Sequence, residues 1–223
     1  MISNSVRGRI VPSMNGSQTI KNLIFDLGNV VIRLRIDRCV AAMRMWPPLY
    51  EKSDAEMEAI MAMPLFHAFE TGSMSDEAFR KAIRTLLEGL PVSDEEIDKA
   101  WNSMLGELPV ENEKVLQKLA ARYRLFLFSN TNAIHMHYYE ARLLNEFGYP
   151  VLRERFEKCF FSHELQLRKP SVEAFRKVIG LAGVDPAETL FIDDLPANVE
   201  AAVKSGMYGL HWQAGKSLRE LLV

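Results

Sequence analysis

No CxxC pair and no histidine at zinc-ligand spacing accompanies the two cysteines of the chain, Cys39 and Cys159. Their isolation excludes a zinc site or a disulfide framework built on closely spaced cysteines, and predicts free buried thiols in a reducing compartment. No apolar run approaches the roughly 18 residues that a membrane span needs. The first twenty residues carry Arg7 and Arg9 but no apolar core long enough for a secretory signal. The expectation is a cytoplasmic protein without a membrane partner, with residues 1–20 as a mobile leader in which Met14 is a second candidate start. An excess of one charge is also missing. With a formal net charge of −2, a pI of about 6.2 and no polybasic run, the chain has no phosphate-neutralising face for nucleic acid. Internal repeats and low-complexity tracts are absent as well.

What is present is the composition of a soluble globular protein, 223 residues with 48% apolar and 25% charged, long enough for one core with an inserted subdomain. The stretch Asn22 to Ile32, NLIFDLGNVVI, reads as a buried strand, Leu23-Ile24-Phe25, that ends on a carboxylate, Asp26. Gly28 and Asn29 then open a loop whose backbone can approach a ligand closely. From Ile36 to Leu108 no strand pattern is evident. Ser53-Asp54-Ala55-Glu56 and Ser93-Asp94-Glu95-Glu96 match the S-x-x-E capping box, and Phe79, Ile83, Leu86 and Leu87 stripe a helix, so residues 36–108 read as an all-helical insert. Its Met and aromatic stripes read as packing rather than as a cofactor box.

From Val110 onward helix and strand alternate. Leu125-Phe126-Leu127-Phe128 closes on Ser129-Asn130-Thr131, Cys159-Phe160-Phe161 leads towards Lys169-Pro170, and Thr189-Leu190-Phe191-Ile192 ends in Asp193-Asp194. Gly183 and Gly206 are the expected helix stops, and Tyr208 to Trp212 the last strand. The fold class is therefore α/β, a Rossmann-like parallel sheet with helices on both faces. The core covers residues 21–35 and 109–223, and ligands gather at the carboxyl ends of its strands. Each polar residue at those ends has a plain structural explanation alone, as a turn former, a helix cap or a surface lysine. Their convergence in this order is the argument for a site.

The series Phe25-Asp26-Leu27-Gly28-Asn29-Val30, Phe128-Ser129-Asn130-Thr131, Arg168-Lys169-Pro170 and Phe191-Ile192-Asp193-Asp194 resembles the four motifs of the haloacid dehalogenase superfamily of hydrolases. The resemblance covers the chain from about Lys21 to Trp212. The FDLGNV form and the IDDLPANVEAA segment are similar to the subgroup that includes bacterial glucose-1-phosphate phosphatase and the phosphatase domain of soluble epoxide hydrolase. The resemblance implies that the helical insert is a cap, that Asp26 is the nucleophile forming an aspartyl phosphate, and that Mg2+ is the cofactor. Its expected ligands are Asp26, the backbone carbonyl of Gly28 and Asp194, with Asp193 binding through water or positioning Asp194. Ser129 through its hydroxyl and Asn130 through its backbone amide are expected to hold phosphate oxygens, and Lys169 to neutralise their charge.

Gly28 departs from the pattern, since most phosphatases of this superfamily place there an Asp that acts as general acid and base. Its absence removes a proton-transfer contribution typically on the order of 10² to 10⁴ in rate. An easily departing leaving group such as an anomeric sugar oxygen lessens the need, or a cap residue, His67 or Glu70, reaches in. Glu70, in Phe69-Glu70-Thr71-Gly72-Ser73, is also a candidate to bind sugar hydroxyls, and Arg33 and Arg35 read as a solvated strand face. The expected function is a magnesium-dependent phosphatase of a small phosphorylated metabolite, a sugar phosphate ahead of other esters. The alternatives are a haloacid dehalogenase, which needs no general acid, and a phosphate-binding regulatory protein without turnover. Three neighbouring carboxylates argue against the dehalogenase, because they repel one another without a cation.

Overall fold

The computed structural model of the protein describes residues 9–10 and 19–222. Six strands form one sheet: β1 (Arg9–Ile10), β2 (Asn22–Phe25), β3 (Arg124–Ser129), β4 (Lys158–Phe161), β5 (Thr189–Asp193) and β6 (Tyr208–His211). Their spatial order is β1-β6-β5-β2-β3-β4. Five strands run parallel, and the edge strand β1 pairs antiparallel with β6. Of the leader expected over residues 1–20, Arg9 and Ile10 thus lie opposite Leu210 and Gly209. Residues 1–8 and 11–18, Met14 among them, lie outside the described residues.

The central strand β2 is where the winding reverses, with β3 and β4 on one side of it and β5 and β6 on the other. Such a switch point opens a crevice at the carboxyl ends of the strands. Register sets what stands there. Phe25 pairs with both Leu127 and Ile192, which puts the next residue, Asp26, level with Phe128 and Asp193.

Alternate residues of the buried strands serve opposite faces, as a pleat requires. Leu23, Phe25, Leu125, Leu127 and Ile192 join one apolar cluster, while Ile24, Phe126, Phe128 and Phe191 join the other. Helices α6 (Val110–Ala120), α7 (Ala133–Phe147) and α8 (Val151–Arg155) contribute their buried residues to the first cluster. The short α9 (Ser162–Leu165), α10 (Val172–Ala182) and α11 (Pro196–Lys204) contribute to the second. Gly183 stops α10 at φ 62°, a left-handed conformation in which a Cβ is strained.

Residues 36–108 hold five α-helices, α1 (Ile36–Met43), α2 (Asp54–Met61), α3 (Pro64–Glu70), α4 (Asp76–Leu86) and α5 (Asp94–Asn102). Both expected capping boxes form. Ser53 and Ser93 accept from the backbone N–H of Glu56 and Glu96, whose carboxylates reach back to the backbone N–H of the two serines. The insert enters and leaves through paired segments: Arg33 N–H donates to Glu107 O (3.1 Å), Gly106 N–H to Arg33 O (2.9 Å) and Arg35 N–H to Met104 O (2.7 Å). Position 106 admits only glycine without adjustment, because an added Cβ would stand 2.5 Å from Arg33 O. Among the described residues no helix is long and apolar enough to cross a membrane, and Cys39 and Cys159 are free.

Candidate active site

Asp26 follows β2, Asp193 ends β5, and the Lys169 side chain lies between them. The Lys169 Nζ donates to Asp26 Oδ1 at 2.5 Å and to Asp193 Oδ2 at 2.7 Å. The lysine is 1% exposed and Asp193 0%, so this is a buried triad rather than a surface ion pair. The ammonium also lies over the Phe128 and Phe191 rings, 5.3 and 5.4 Å from their centroids, where it gains cation–π attraction. The half-buried Asp194 completes the cluster, and carboxylate oxygens of Asp26, Asp193 and Asp194 lie within 4.8 Å of one another.

Two of the three carboxylates, Asp26 and Asp193, pair with the one ammonium. Burial, helped by Asp193 and Asp194, pushes the Asp26 carboxyl above its ordinary range against the pull of Lys169. Asp194 is raised as well, by burial first and then by Asp193, against a hydrogen bond from Asn29. Burial disfavours a charged Lys169, but Asp26 and Asp193 outweigh it and hold the ammonium above its ordinary value. The donor chemistry of such an oxygen cluster fits a hard divalent cation such as magnesium.

Two asparagines that sequence reasoning missed orient this cluster. Asn29, at φ 55°, donates to Asp194 Oδ2 (2.9 Å) and accepts from Leu34 N–H (3.2 Å). Asn198, in the first turns of α11, donates to both oxygens of Asp193 at 3.0 Å. The only sequence signal for Asn29 was its tolerance of the left-handed region after a glycine. For Asn198 it was a place on a helix that follows the acidic pair.

Ser129 and Asn130 stand at the end of β3, as expected, and β3 lies beside β2. Ser129 is buried, and its Oγ makes one long contact, 3.5 Å to Asn130 O. The side chain of Asn130 is spent on Lys169: its Oδ1 accepts from Lys169 N–H (2.9 Å) and its Nδ2 donates to Lys169 O (3.0 Å). Its backbone amide, the group expected to meet phosphate, is separate from both bonds. Thr131 N–H donates to Ser162 Oγ (2.9 Å), and that hydroxyl stands 2.6 Å from Glu70 O and 3.0 Å from Thr131 O.

Through Ser162, the tip of the insert rests on the loop after β3. Gly72, at φ 69°, seals the contact, since an added Cβ would lie 2.2 Å from His163 O. Glu70 thus comes to the rim of the site, paired through its carboxylate with Arg168 (3.2 Å), the neighbour of Lys169. Burial raises the Glu70 carboxyl against Arg168, His67 and Lys169. His67 lies on an exposed face of α3. Arg33 and Arg35 pair at the surface with Glu107 (3.0 Å) and Asp37 (2.8 Å). At Gly28 an added Cβ would meet Leu34 Cδ1 at 2.6 Å, so the space where a second Asp would start is filled by a leucine.

Comparison with known proteins agrees with this fold. A family model described as haloacid dehalogenase-like hydrolase matches residues 20–206. A D-ribitol-5-phosphate phosphatase of Bacteroides thetaiotaomicron is 28% identical over 203 residues, 91% of this chain and 97% of the relative. A solved HAD-family enzyme from the same species, in complex with magnesium and inorganic phosphate, superposes with a TM-score of 0.81 at 35% identity, covering 92% of this chain and 100% of that one. A protein of Porphyromonas gingivalis described as a predicted HAD-like family hydrolase gives a TM-score of 0.75 at 30% identity, over 89% and 93% of the two chains.

Proposed function

The chain belongs to the haloacid dehalogenase-like hydrolase family, and on that premise we propose that it is a magnesium-dependent phosphatase of a small sugar or sugar-alcohol phosphate. One observation carries the reading: a buried lysine bridges Asp26 and Asp193 at adjacent strand ends while Asp194 closes a cluster of carboxylate oxygens. The similarity to a D-ribitol-5-phosphate phosphatase supports the substrate class. A carbon–halogen bond would leave the third carboxylate without a task. The two free thiols suit action in a reducing cytoplasm.

Asp26 is the nucleophile of this reading. Its carboxylate oxygen attacks phosphorus in line, the bond from phosphorus to the substrate oxygen breaks, and the alkoxide leaves and takes a proton from solvent water. Water then attacks phosphorus and gives up a proton to solvent, the acyl phosphate bond breaks, and inorganic phosphate and the Asp26 carboxylate are released. Ser129 Oγ and the Asn130 backbone amide hold phosphate oxygens, and the Lys169 ammonium balances the charge that gathers on them. Asp26, Asp194 and the backbone carbonyl of Gly28 would hold magnesium, which supplies positive charge beside the phosphoryl group. Asp193, taken up by Lys169 and Asn198, is a positioning residue here more than a ligand. The helical insert acts as the cap, and Glu70 offers a carboxylate to substrate hydroxyls from its tip.

The test is phosphate release from a panel of polyol, hexose, anomeric sugar and aryl phosphates, run beside 2-haloacids, with magnesium and with EDTA. Release on the phosphate panel, lost in EDTA and reduced at least about 10³-fold in Asp26→Asn, is the expected result. Halide release that ignores EDTA would replace this reading with the dehalogenase.

A further inference from the structure

Lys169 sits in a turn between α9 and α10, outside any helix or strand whose regular hydrogen bonds could fix its backbone. Its ammonium nevertheless meets two carboxylates at 2.5 and 2.7 Å in a buried site, where a small displacement would leave charges unpaired. The bonds that locate its backbone come from one side chain. Asn130 Oδ1 takes the Lys169 N–H and Asn130 Nδ2 reaches the Lys169 carbonyl, the two-point pairing that a neighbouring strand would give. The orientation of the amide is forced, because the peptide N–H needs the oxygen and the carbonyl needs the nitrogen. Asn130 itself follows Ser129 at the end of β3, which pairs with β2 and β4 and so stands on one of the most constrained strands of the sheet.

We propose that the Asn130 side chain is a positioning residue that transfers the placement of β3 to Lys169, and so sets where the ammonium meets Asp26. Its kinetic consequence rests on the phosphatase reading; its geometric consequence does not. Two functions are thereby divided within one residue, since the backbone amide of Asn130 is left to the phosphate while its side chain holds the lysine. Aspartate at this position would keep the acceptor for the Lys169 N–H and lose the donor to the carbonyl, whereas alanine would lose both.

The experiment compares wild type, Asn130→Asp and Asn130→Ala by brief acylation of amines in the magnesium-free protein, read by peptide mass mapping with exposed Lys118 as internal reference. Lys169 is protected in the wild type. Its labelling relative to Lys118 is expected to rise several-fold in Asn130→Ala and less in Asn130→Asp, at melting temperatures close to wild type. In turnover, kcat of Asn130→Ala is expected to fall about 10- to 100-fold with KM little changed. That loss should vanish when Asn130→Ala is made in a Lys169→Met background and assayed on a reactive aryl phosphate. Unchanged Lys169 labelling in both variants would overturn the proposal. So would a kcat loss that persists in full without the lysine, since Asn130 would then act on substrate directly. If wild type releases no phosphate from any ester, the phosphatase reading fails while the labelling still decides the role of Asn130.

Discussion

Leu34 occupies the direction that any side chain at position 28 would take, with its Cδ1 2.6 Å and its Cγ 3.0 Å from where a Cβ would stand. The neighbouring backbone is tied as well, because Leu34 N–H donates to Asn29 Oδ1 and Asn29 in turn holds Asp194. Restoring the acid by Gly28→Asp therefore requires the leucine to rotate away or the loop to shift. Overpacking of this kind costs about 1–3 kcal/mol. Gly28→Asp is expected to lower the unfolding free energy by that much, read as a lower urea midpoint at unchanged m, without raising kcat. Leu34→Ala made alone should also destabilise, through lost apolar contact, but in the Gly28→Asp background its cost should shrink or reverse. A double-mutant cycle by urea denaturation measures this, and strict additivity of the two changes would show that the residues do not compete for space.

Among the elements, the seam between α5 and α7 is where insert and core share a buried titratable group. His135 lies 6% exposed on α7, stacked on Trp101 at 4.9 Å and 10°, with its Nδ1 2.9 Å from Asn102 Oδ1. Burial pushes its pKa down to about 3 from an ordinary 6.5. The unfolded chain takes up a proton near pH 6.5 that the folded one refuses. The stability from the neutral ring is thus complete above that pH and is lost as the pH falls towards 3, at no more than about 1.4 kcal/mol per pH unit. Between pH 7 and pH 5 the wild type should lose about 1–2 kcal/mol more unfolding free energy than His135→Gln, which keeps a polar group but cannot charge. Chemical denaturation at the two pH values measures it, and equal losses would mean that the ring titrates freely in the fold.

The same scale shows what could be read from sequence and what could not. Both capping boxes are local, three residues from hydroxyl to carboxylate, and they form as read. The strands carrying Asp26, Ser129 and Asp193 were legible because each is an apolar run closing on a polar residue. Which strands lie side by side was not legible, and register brought Asp26 level with Asp193. The holding bonds were beyond reach: Asn29 and Asp194, or Asn130 and Lys169, meet only after the chain has folded. No periodicity encodes such a pair. Glu70 could be singled out by its loop, but its partner Arg168 and its anchor Ser162 could not.

At the scale of the whole molecule, the site joins the core sheet to the insert. β2, β3 and β5 supply its floor, the turn before α10 its cation, and the tip of α3 its rim. The central strands hold this geometry at the cost of crowding Asp26, Asp193 and Asp194 around a single ammonium. Whatever neutralises the excess negative charge therefore stabilises the entire fold, since a ligand bound by the native state alone adds about 2.7 kcal/mol at a hundred times its dissociation constant. For a chain of 223 residues that corresponds to a rise in melting temperature of roughly 5 to 11 °C on adding magnesium to the EDTA-treated protein. Asp194→Asn separates the two effects of that carboxylate. An amide at this position can still accept the hydrogen bond from Asn29 but carries no charge, so the variant in EDTA should melt at or above wild type in EDTA. It should nevertheless gain little from magnesium, because a proposed ligand has gone. Thermal denaturation of both proteins in EDTA and in magnesium gives all four values. A variant that keeps the full magnesium shift would remove Asp194 from the cation site, while a wild type indifferent to magnesium would mean that Lys169 alone suffices to hold the three carboxylates together.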